Sequence, residues 1–230
     1  MKKMIKEGFE GDEDWVLKEL PDKKTFFNGW FQDKKGKLLE AGCGVGNRVV
    51  ILSKFGYAVT GIEISKERFE IARKNIKKYH VKAKLLLGDV RKMPFADESF
   101  DIIFCDGVVE HFPDSYKGVR ECYRVLKKGG KAMISVPNKI TFFEINKKLQ
   151  ILLGKLLHKK IWSSGYERSF IKRRFEKILT NEGFKIKDFY KTEVGAGRKF
   201  PFVGKTLRVL DKPLLLFGQG GHFMLWLVEK

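Results

Sequence analysis

Residues 37–50 read KLLEAGCGVGNRVV, a short apolar run followed by an acidic residue, three glycines and the start of a helical pattern. The pair Leu38-Leu39 predicts a buried strand, and the apolar residues at 49, 50 and 52 predict a helix that ends at Gly56. A strand, a glycine turn and a helix present backbone N–H groups and a helix N-terminus to a ligand in many α/β sheets. The pattern alone is equally compatible with an ordinary tight turn.

The spacing of the glycines narrows the class of ligand. Gly42, Gly44 and Gly46 alternate with other residues, whereas the dinucleotide fingerprint needs its third glycine at the position of Asn47. This spacing argues against a dinucleotide oxidoreductase. The next predicted strand, YAVTGIEI, ends in Glu63, about 20 residues after the first glycine, a spacing that suits a ribose. A carboxylate can accept a hydrogen bond from each hydroxyl of a ribose diol.

At these motifs the chain resembles the class I S-adenosylmethionine-dependent methyltransferases, and more narrowly the subgroup that includes the quinone-biosynthesis enzymes. The resemblance covers residues 37–138, with the motifs LLEAGCGVGN, GIEIS, LLLGDVRKMPFADESFDIIFCDGVVEHFPD and VLKKGGKAMISVPN. It implies S-adenosylmethionine as the cofactor. It also implies an α/β fold, a doubly wound, seven-stranded, mostly parallel Rossmann-like sheet in strand order 3-2-1-4-5-7-6, with a helical insertion.

The same resemblance implies roles for individual residues in cofactor binding. The three loop glycines pass the methionine part of the cofactor, and Glu63 holds the ribose. Asp89 takes the adenine amino group, and Val90 lies beside the adenine ring. The other predicted cofactor-binding residues are Glu40, Ile64 and Asp106.

The candidate catalytic residues, His111 and Asp106, are predicted to follow the fourth strand. A base helps methyl transfer only when the acceptor is an OH or NH group, and a histidine suits that role at neutral pH. Alternatively, His111 only orders the loop or the cofactor. The pair Glu110-His111 resembles part of a magnesium site in some quinone O-methyltransferases. Those enzymes carry a glutamate where this chain has Gly107, so no metal site is predicted. Arg168 either grips an anionic substrate group or caps a carbonyl.

The chain of 230 residues fits one domain with insertions. We expect a helical cap over residues 1–35, a Rossmann-like methyltransferase core over 36–138 and 166–230, and an amphipathic insertion or lid over 139–165. The remaining strands are predicted at 82–87, 101–106, 131–136, 184–190 and 222–229, and helices at 66–79, 116–128 and 170–182. The helix over 116–128 is predicted to end at Gly129-Gly130.

The charge of the chain is unevenly distributed. The net charge is +19, and residues 138–230 contain 20 basic and 8 acidic side chains. A basic surface attracts nucleic acid, anionic lipid or phosphorylated substrates, although a lysine-rich thermophile surface has the same composition. The pattern over 140–162 predicts a helix with leucines on one face and lysines opposite. This helix either associates with an anionic membrane or packs against its own domain.

These observations predict a methyltransferase that acts on a small or amphiphilic acceptor at oxygen or carbon. The alternative is an RNA methyltransferase using the basic C-terminal third. It ranks second because no Pro-Cys pair precedes Asp106, the Asn/Asp-Pro-Pro-Tyr/Phe motif is missing, and no RNA-binding module is recognisable. A cofactor-sensing module without turnover would carry the same binding motifs. No obligate protein partner is inferred.

The sequence also predicts where the protein works. Its first residues lack the apolar segment of a signal peptide, and no apolar run reaches the ~20 residues of a membrane span. Three cysteines without metal-ligand spacing favour a reducing compartment. We therefore expect a soluble cytoplasmic protein, either free or peripheral at the membrane.

Overall fold

The computed structural model describes residues 36–141, 166–192 and 223–230. The predicted cap over 1–35 and nearly all of the predicted insertion lie outside these ranges. The strands are β1 (Lys37–Ala41), β2 (Ala58–Glu63), β3 (Ala83–Leu87), β4 (Phe100–Asp106), β5 (Leu126–Pro137), β6 (Lys185–Thr192) and β7 (Phe223–Glu229). The helices are α1 (Asn47–Lys54), α2 (Lys66–Lys78), α3 (Ser115–Val125) and α4 (Lys172–Asn181), and a 3-10 turn covers Val109–His111.

The seven strands form one sheet in the order β3-β2-β1-β4-β5-β7-β6. Strands β1 to β5 run parallel, and β7 pairs antiparallel with both β5 and β6. The predicted strand order and mostly parallel sheet are confirmed. The parallel strands carry their carboxyl ends to one edge, where open α/β sheets bind ligands.

Both faces of the sheet are covered by helices, as the doubly wound prediction requires. Residues 102–105 of β4 are at most 2% exposed, which is typical of a strand buried on both faces. One face packs against α3 and α4 through Leu39, Ile103, Cys105, Ile134, Trp226, Val119, Cys122, Phe175 and Leu179. The other packs against α1 through Leu38, Ile102, Phe104, Met133, Leu227, Val49 and Leu52. None of the helices in the described ranges has the length and apolar character needed to cross a membrane.

The connection from α3 to β5 corrects one prediction. The helix expected to reach residue 128 ends at Val125, and β5 begins at Leu126. Gly129 therefore does not end the helix. Its N–H donates to the carbonyl of Lys230 (2.9 Å), while the N–H of Lys230 donates to Gly130 (3.2 Å). These backbone bonds to the residue that follows β7 compete with further helix. The pairing of β4 with β5 is irregular at the same end, where the register shifts between Phe100 and Ile102.

At the carboxyl edge of the sheet, the loop after β1 and the loop after β3 are both hydrogen-bonded to the end of β2. The N–H groups of Gly42 and Cys43 both donate to the carbonyl of Ile62 at 2.9 Å. The N–H of Gly88 donates to the carbonyl of Glu63, also at 2.9 Å. The glycine loop after β1 and the loop after β3 are thereby fixed on either side of the same strand.

Candidate active site

The glycine loop leaves open space above its backbone. Gly42 has φ +79°, and a Cβ at this position would lie 2.5 Å from Val108, so packing against the loop after β4 requires a glycine. Gly44 has φ +55°, but a Cβ there would meet no atom of the described residues within 4 Å. The described part of the chain therefore does not fill the space beside Gly44, which leaves room for a ligand close to the backbone. The third glycine, Gly46, is the N-cap of α1.

Glu63, at the end of β2, is held by the backbone on both sides. Its Oε2 accepts a hydrogen bond from the N–H of Gly44, and its Oε1 accepts one from the N–H of Ser65, each at 2.8 Å. Each carboxylate oxygen has a second lone pair for another donor. Glu63 is 5% exposed, whereas the next residue, Ile64, presents an apolar side chain that is 53% exposed. The edge thus offers a fixed acceptor beside an apolar surface, as a ribose and an attached base require.

A buried cluster of charges lies below the glycine loop. Arg48 of α1 donates from Nη1 to Oε1 of Glu40 (2.6 Å) and from Nη2 to Oδ2 of Asp106. The hydroxyl of Ser135 donates to the other oxygen of Asp106. Glu40 is only 3% exposed. Within the described ranges, neither Oε2 of Glu40 nor Nε of Arg48 has a hydrogen-bond partner. This pair of unsatisfied groups fits a site completed by a polar, charged ligand group.

Arg48 connects two of the predicted residues, Glu40 and Asp106, although no motif predicts it. Its sequence signal is a basic residue inside an apolar helical pattern, directly after the glycine loop. Asn75 of α2 is a second residue that no motif predicts. This buried side chain donates to the carbonyl of Val45 (2.7 Å) and supports the glycine loop from below.

The buried cluster contains two acidic side chains, Glu40 and Asp106, and one basic side chain, Arg48. Burial raises the pKa of Glu40 to about 7 because the loss of solvation outweighs the attraction to Arg48. Burial alone would lower the pKa of Arg48, but the attraction to Glu40 and Asp106 raises it, and the guanidinium stays charged. At neutral pH two acidic groups therefore share one cation.

Replacing Glu40 by glutamine is expected to stabilise the fold increasingly as the pH rises from about 5 to 8. The pKa of Glu40 lies near 7 in the folded chain against 4.5 as its ordinary value, so the folded state binds the proton more tightly. The free energy of unfolding of the wild type therefore falls by roughly 2–3 kcal/mol over this window, whereas that of the variant does not. Urea unfolding of both proteins at several pH values measures the difference. A stability difference that does not change with pH would contradict the shifted pKa.

Asp89 and Val90 follow β3 at the same edge. Val90 is 3% exposed and packs into the core cluster beneath the edge. The carboxylate of Asp89 is partly exposed and binds Arg91 through both oxygens. The hydrogen bonds from Arg91 hold the pKa of Asp89 below its ordinary value. Asp89 is therefore an ionised acceptor, but one that already has a partner.

His111 lies at the end of the 3-10 turn that follows β4, and its side chain is exposed. Its Nδ1 is 3.1 Å from the carbonyl oxygen of Tyr166. Because a carbonyl oxygen only accepts, Nδ1 must carry the proton, which leaves Nε2 of the neutral ring with its lone pair. The carbonyl of Glu110 accepts a hydrogen bond from the N–H of Arg168 (3.0 Å). The segment beginning at Tyr166 therefore fixes the turn that carries His111.

The predicted residues thus fall into neighbouring positions along the edge. Glu40 in β1, Glu63 at the end of β2 and Asp106 at the end of β4 meet at the glycine loop. Asp89 and Val90 lie beside them after β3, and His111 follows β4. In the part of the chain that the structure describes, no group of three or more His, Cys, Asp or Glu residues is placed to hold a metal ion. The guanidinium of Arg168 lies over the ring of Phe170, with Cζ 5.3 Å from the ring centroid.

The strand order, the glycine loop and the acid that ends β2 define a Rossmann-like methyltransferase fold. The methyltransferase-domain family matches residues 39–134. The chain is 31% identical to a demethylmenaquinone methyltransferase of Chlorobaculum tepidum, in an alignment that covers 69% of each protein. It is also 31% identical to a ubiquinone biosynthesis O-methyltransferase of Coxiella burnetii, over 46% of this chain and 45% of that protein. The fold matches a SAM-dependent methyltransferase of Methanosarcina mazei with a TM-score of 0.68 and 18% identity, covering 92% of this chain and 98% of that one.

The chain belongs to the class I S-adenosylmethionine-dependent methyltransferases and resembles the quinone-biosynthesis enzymes within that family. It is an enzyme that uses S-adenosylmethionine as its methyl donor. The family, the enzyme class and the cofactor predicted from the resemblance are confirmed.

Proposed function

We propose that the acceptor is an amphiphilic aromatic alcohol of the quinol type, methylated at oxygen or carbon. The observation that carries this proposal is the 31% identity to a demethylmenaquinone methyltransferase across 69% of both proteins. The ubiquinone biosynthesis O-methyltransferase supports the same acceptor class. A sterol 4-C-methyltransferase of Caenorhabditis elegans, 32% identical over 42% of this chain, adds a second class of lipid-like acceptor.

S-adenosylmethionine supplies an electrophilic methyl group on a sulfonium when bound. The residues of this chain that would hold it are the open backbone at Gly44, the carboxylate of Glu63 for the ribose, and Ile64 and Val90 for the adenine ring. The methionine ammonium is assigned to Oε2 of Glu40, which has no hydrogen-bond partner among the described residues. These residues exclude water and fix the direction of approach, which are the main contributions a protein makes to an in-line displacement.

His111 is the proposed base. Its Nε2 is available to take the hydroxyl proton of a quinol, which leaves a phenolate that is nucleophilic at oxygen and at the adjacent ring carbon. Attack from oxygen forms an ether, and attack from carbon is followed by loss of the ring proton. One base therefore serves both outcomes, and the shape of the acceptor pocket selects between them.

Asp106 is better suited to positioning than to proton transfer. Both of its oxygens are engaged, one by Arg48 and the other by the hydroxyl of Ser135. We propose that this carboxylate fixes the end of β4 and contributes to the electrostatic field at the methionine end of the cofactor. The proton transfer is then assigned to His111 alone.

Replacing Glu63 by alanine is expected to weaken S-adenosylmethionine binding by roughly 1.5–3 kcal/mol, the range for hydrogen bonds to a charged group. The variant also loses the acceptor for the N–H groups of Gly44 and Ser65, so we expect a looser glycine loop as well. Isothermal calorimetry on both proteins measures the affinity. Unchanged affinity would remove Glu63 from the site.

Transfer of a radiolabelled methyl group tests the acceptor class. The purified chain is incubated with labelled S-adenosylmethionine and, separately, with demethylated quinols, sterols or transcribed RNA. The quinols are presented in detergent and in vesicles containing phosphatidylglycerol. Label in the quinol fraction is expected. Label in RNA alone would overturn the proposal, and a dependence on anionic vesicles would support the membrane association predicted for residues 140–162, which lie mainly outside the described ranges.

The position of Cys105 argues against cytosine-C5 chemistry, one form of the RNA methyltransferase alternative. This cysteine lies within β4 and is 0% exposed. Hydrogen bonding to Cys122 and burial both raise the pKa of its thiol. A buried, protonated thiol cannot act as the nucleophile that cytosine-C5 chemistry needs.

A further inference from the structure

The guanidinium of Arg91 binds the carboxylate of Asp89, the residue predicted to accept a hydrogen bond from the adenine amino group of the cofactor. The backbone N–H of Arg91 donates to Oδ1 of Asp89 at 2.8 Å. Its Nε lies 3.1 Å from Oδ1 and 3.0 Å from Oδ2, and its Nη2 lies 2.6 Å from Oδ2. Three N–H groups of one residue therefore engage both oxygens of Asp89.

The same guanidinium has a second anchor in the loop that follows β4. Its Nη1 lies 3.3 Å from Oδ1 of Asp114, the N-cap residue of α3. Its Cζ lies 4.3 Å from the centroid of the Phe112 ring, directly after His111 in the chain. The other oxygen of Asp114 is 2.7 Å from Nζ of Lys117. Arg91 is thus shared between two carboxylates that belong to different loops of the edge.

The sharing allows one contact to be exchanged for the other. The side chains of Arg91 and Asp89 are 31% and 30% exposed, so water screens their attraction and the pair is weaker than a buried one. If Arg91 released Asp89, the guanidinium would still have Asp114 and the face of Phe112. Arg91 can therefore leave Asp89 without becoming an isolated charge.

We propose that Arg91 competes with the adenine amino group for Asp89 and moves towards Asp114 when the cofactor binds. The inference rests on the proposed function, with Asp89 in the role that the family resemblance implies, acceptor of the adenine amino group. It makes Arg91 a residue that lowers affinity for adenine-containing ligands. It also couples cofactor binding to the loop that carries His111, because the freed guanidinium strengthens its contacts with Phe112 and Asp114.

Two substitutions at opposite ends of the contact should shift affinity in opposite directions. Arg91→Met removes the competitor and is expected to tighten S-adenosylhomocysteine binding by about threefold to fivefold, the strength of an exposed ion pair. Asp114→Asn removes the second anchor, leaves Arg91 more firmly on Asp89, and is expected to weaken binding by about threefold. A purely structural role for Arg91 would weaken binding in both variants. Calorimetry on the full chain measures both values, and adenosine should show the same directions.

Two further variants separate this inference from the proposed function. Lys117→Met removes the other cation from Asp114 without touching Arg91, so affinity should stay equal or become tighter. Asp89→Ala should weaken binding about tenfold or more if Asp89 holds the adenine. Weakened binding in Asp89→Ala together with equal or weaker binding in Arg91→Met would overturn the competition alone. Unchanged binding in Asp89→Ala would overturn both the competition and the proposed adenine site.

Discussion

Replacing Arg48 by methionine is expected to lower the free energy of unfolding by about 3 kcal/mol or more at pH 8, since breaking a buried ion pair by removing one partner costs roughly 3–5 kcal/mol. The substitution leaves Glu40, only 3% exposed, with no cation beside it among residues 36–141, 166–192 and 223–230. The loss should be smaller at pH 6. There Glu40, whose pKa is already raised to about 7, takes up a proton and becomes neutral. Urea unfolding at the two pH values measures both quantities.

The matched control is the double variant Glu40→Gln with Arg48→Met. Removing both charges leaves no isolated ion on Glu40, so the double variant should regain much of the stability at pH 8. The remaining loss reflects the unpaired side of Asp106 and the packing of Arg48 over Phe104, where Cζ lies 5.7 Å from the ring centroid. A single variant as stable as the wild type would show that the cluster contributes little to the fold.

Replacing His111 by alanine is expected to reduce the turnover number by roughly 100-fold or more while leaving cofactor affinity nearly unchanged. The imidazole is exposed and its Nε2 has the lone pair that a general base needs. None of the residues proposed to hold the cofactor forms a hydrogen bond with the His111 ring in the described ranges. Steady-state kinetics with the acceptor found by methyl labelling, together with calorimetry on S-adenosylmethionine, separates the two effects.

A second variant distinguishes a base from an anchor. In His111→Asn the amide nitrogen lies near the position of Nδ1, so it can still donate to the carbonyl of Tyr166. If His111 is a base, the asparagine variant should be as slow as the alanine variant. If the residue only holds the turn against Tyr166, the asparagine variant should recover most of the activity. Loss of cofactor affinity in both variants would instead assign His111 to cofactor positioning.

The parts of the fold that the sequence predicts are those with local signals. The alternation of apolar strands with helical patterns predicts the sheet, and the glycines with Glu63 predict its ligand-binding edge. The end of α3 was predicted wrongly because the competing contact is distant. The glycines after Leu126 pair with the backbone of Lys230, about a hundred positions along the chain. No local pattern contains that partner.

The residues of the candidate site likewise divide into those that a local motif predicts and those whose role depends on distant contacts. Residues such as Glu63 and Asp89 stand at strand ends, where a motif identifies them. Arg48 acts through Glu40 and Asp106, and Arg91 acts through Asp89 and Asp114. Such contacts depend on which side chains meet across the edge. The proton position on His111 likewise depends on the carbonyl of Tyr166, 55 residues away. These properties come from tertiary contacts, which no window of sequence contains.

The position of β7 sets the order in which the sheet can be completed. This strand follows β6 in the chain but lies between β5 and β6, and its residues 224–228 are at most 5% exposed. Until β7 has been synthesised, β5 and β6 therefore have unpaired edges, which can pair with strands of other chains. Joining β5 to β6 requires β7, which pairs antiparallel with both strands. Such distant pairing slows folding, and a ribosome-bound chain that ends before residue 223 lacks the strand that joins β6 to the rest of the sheet.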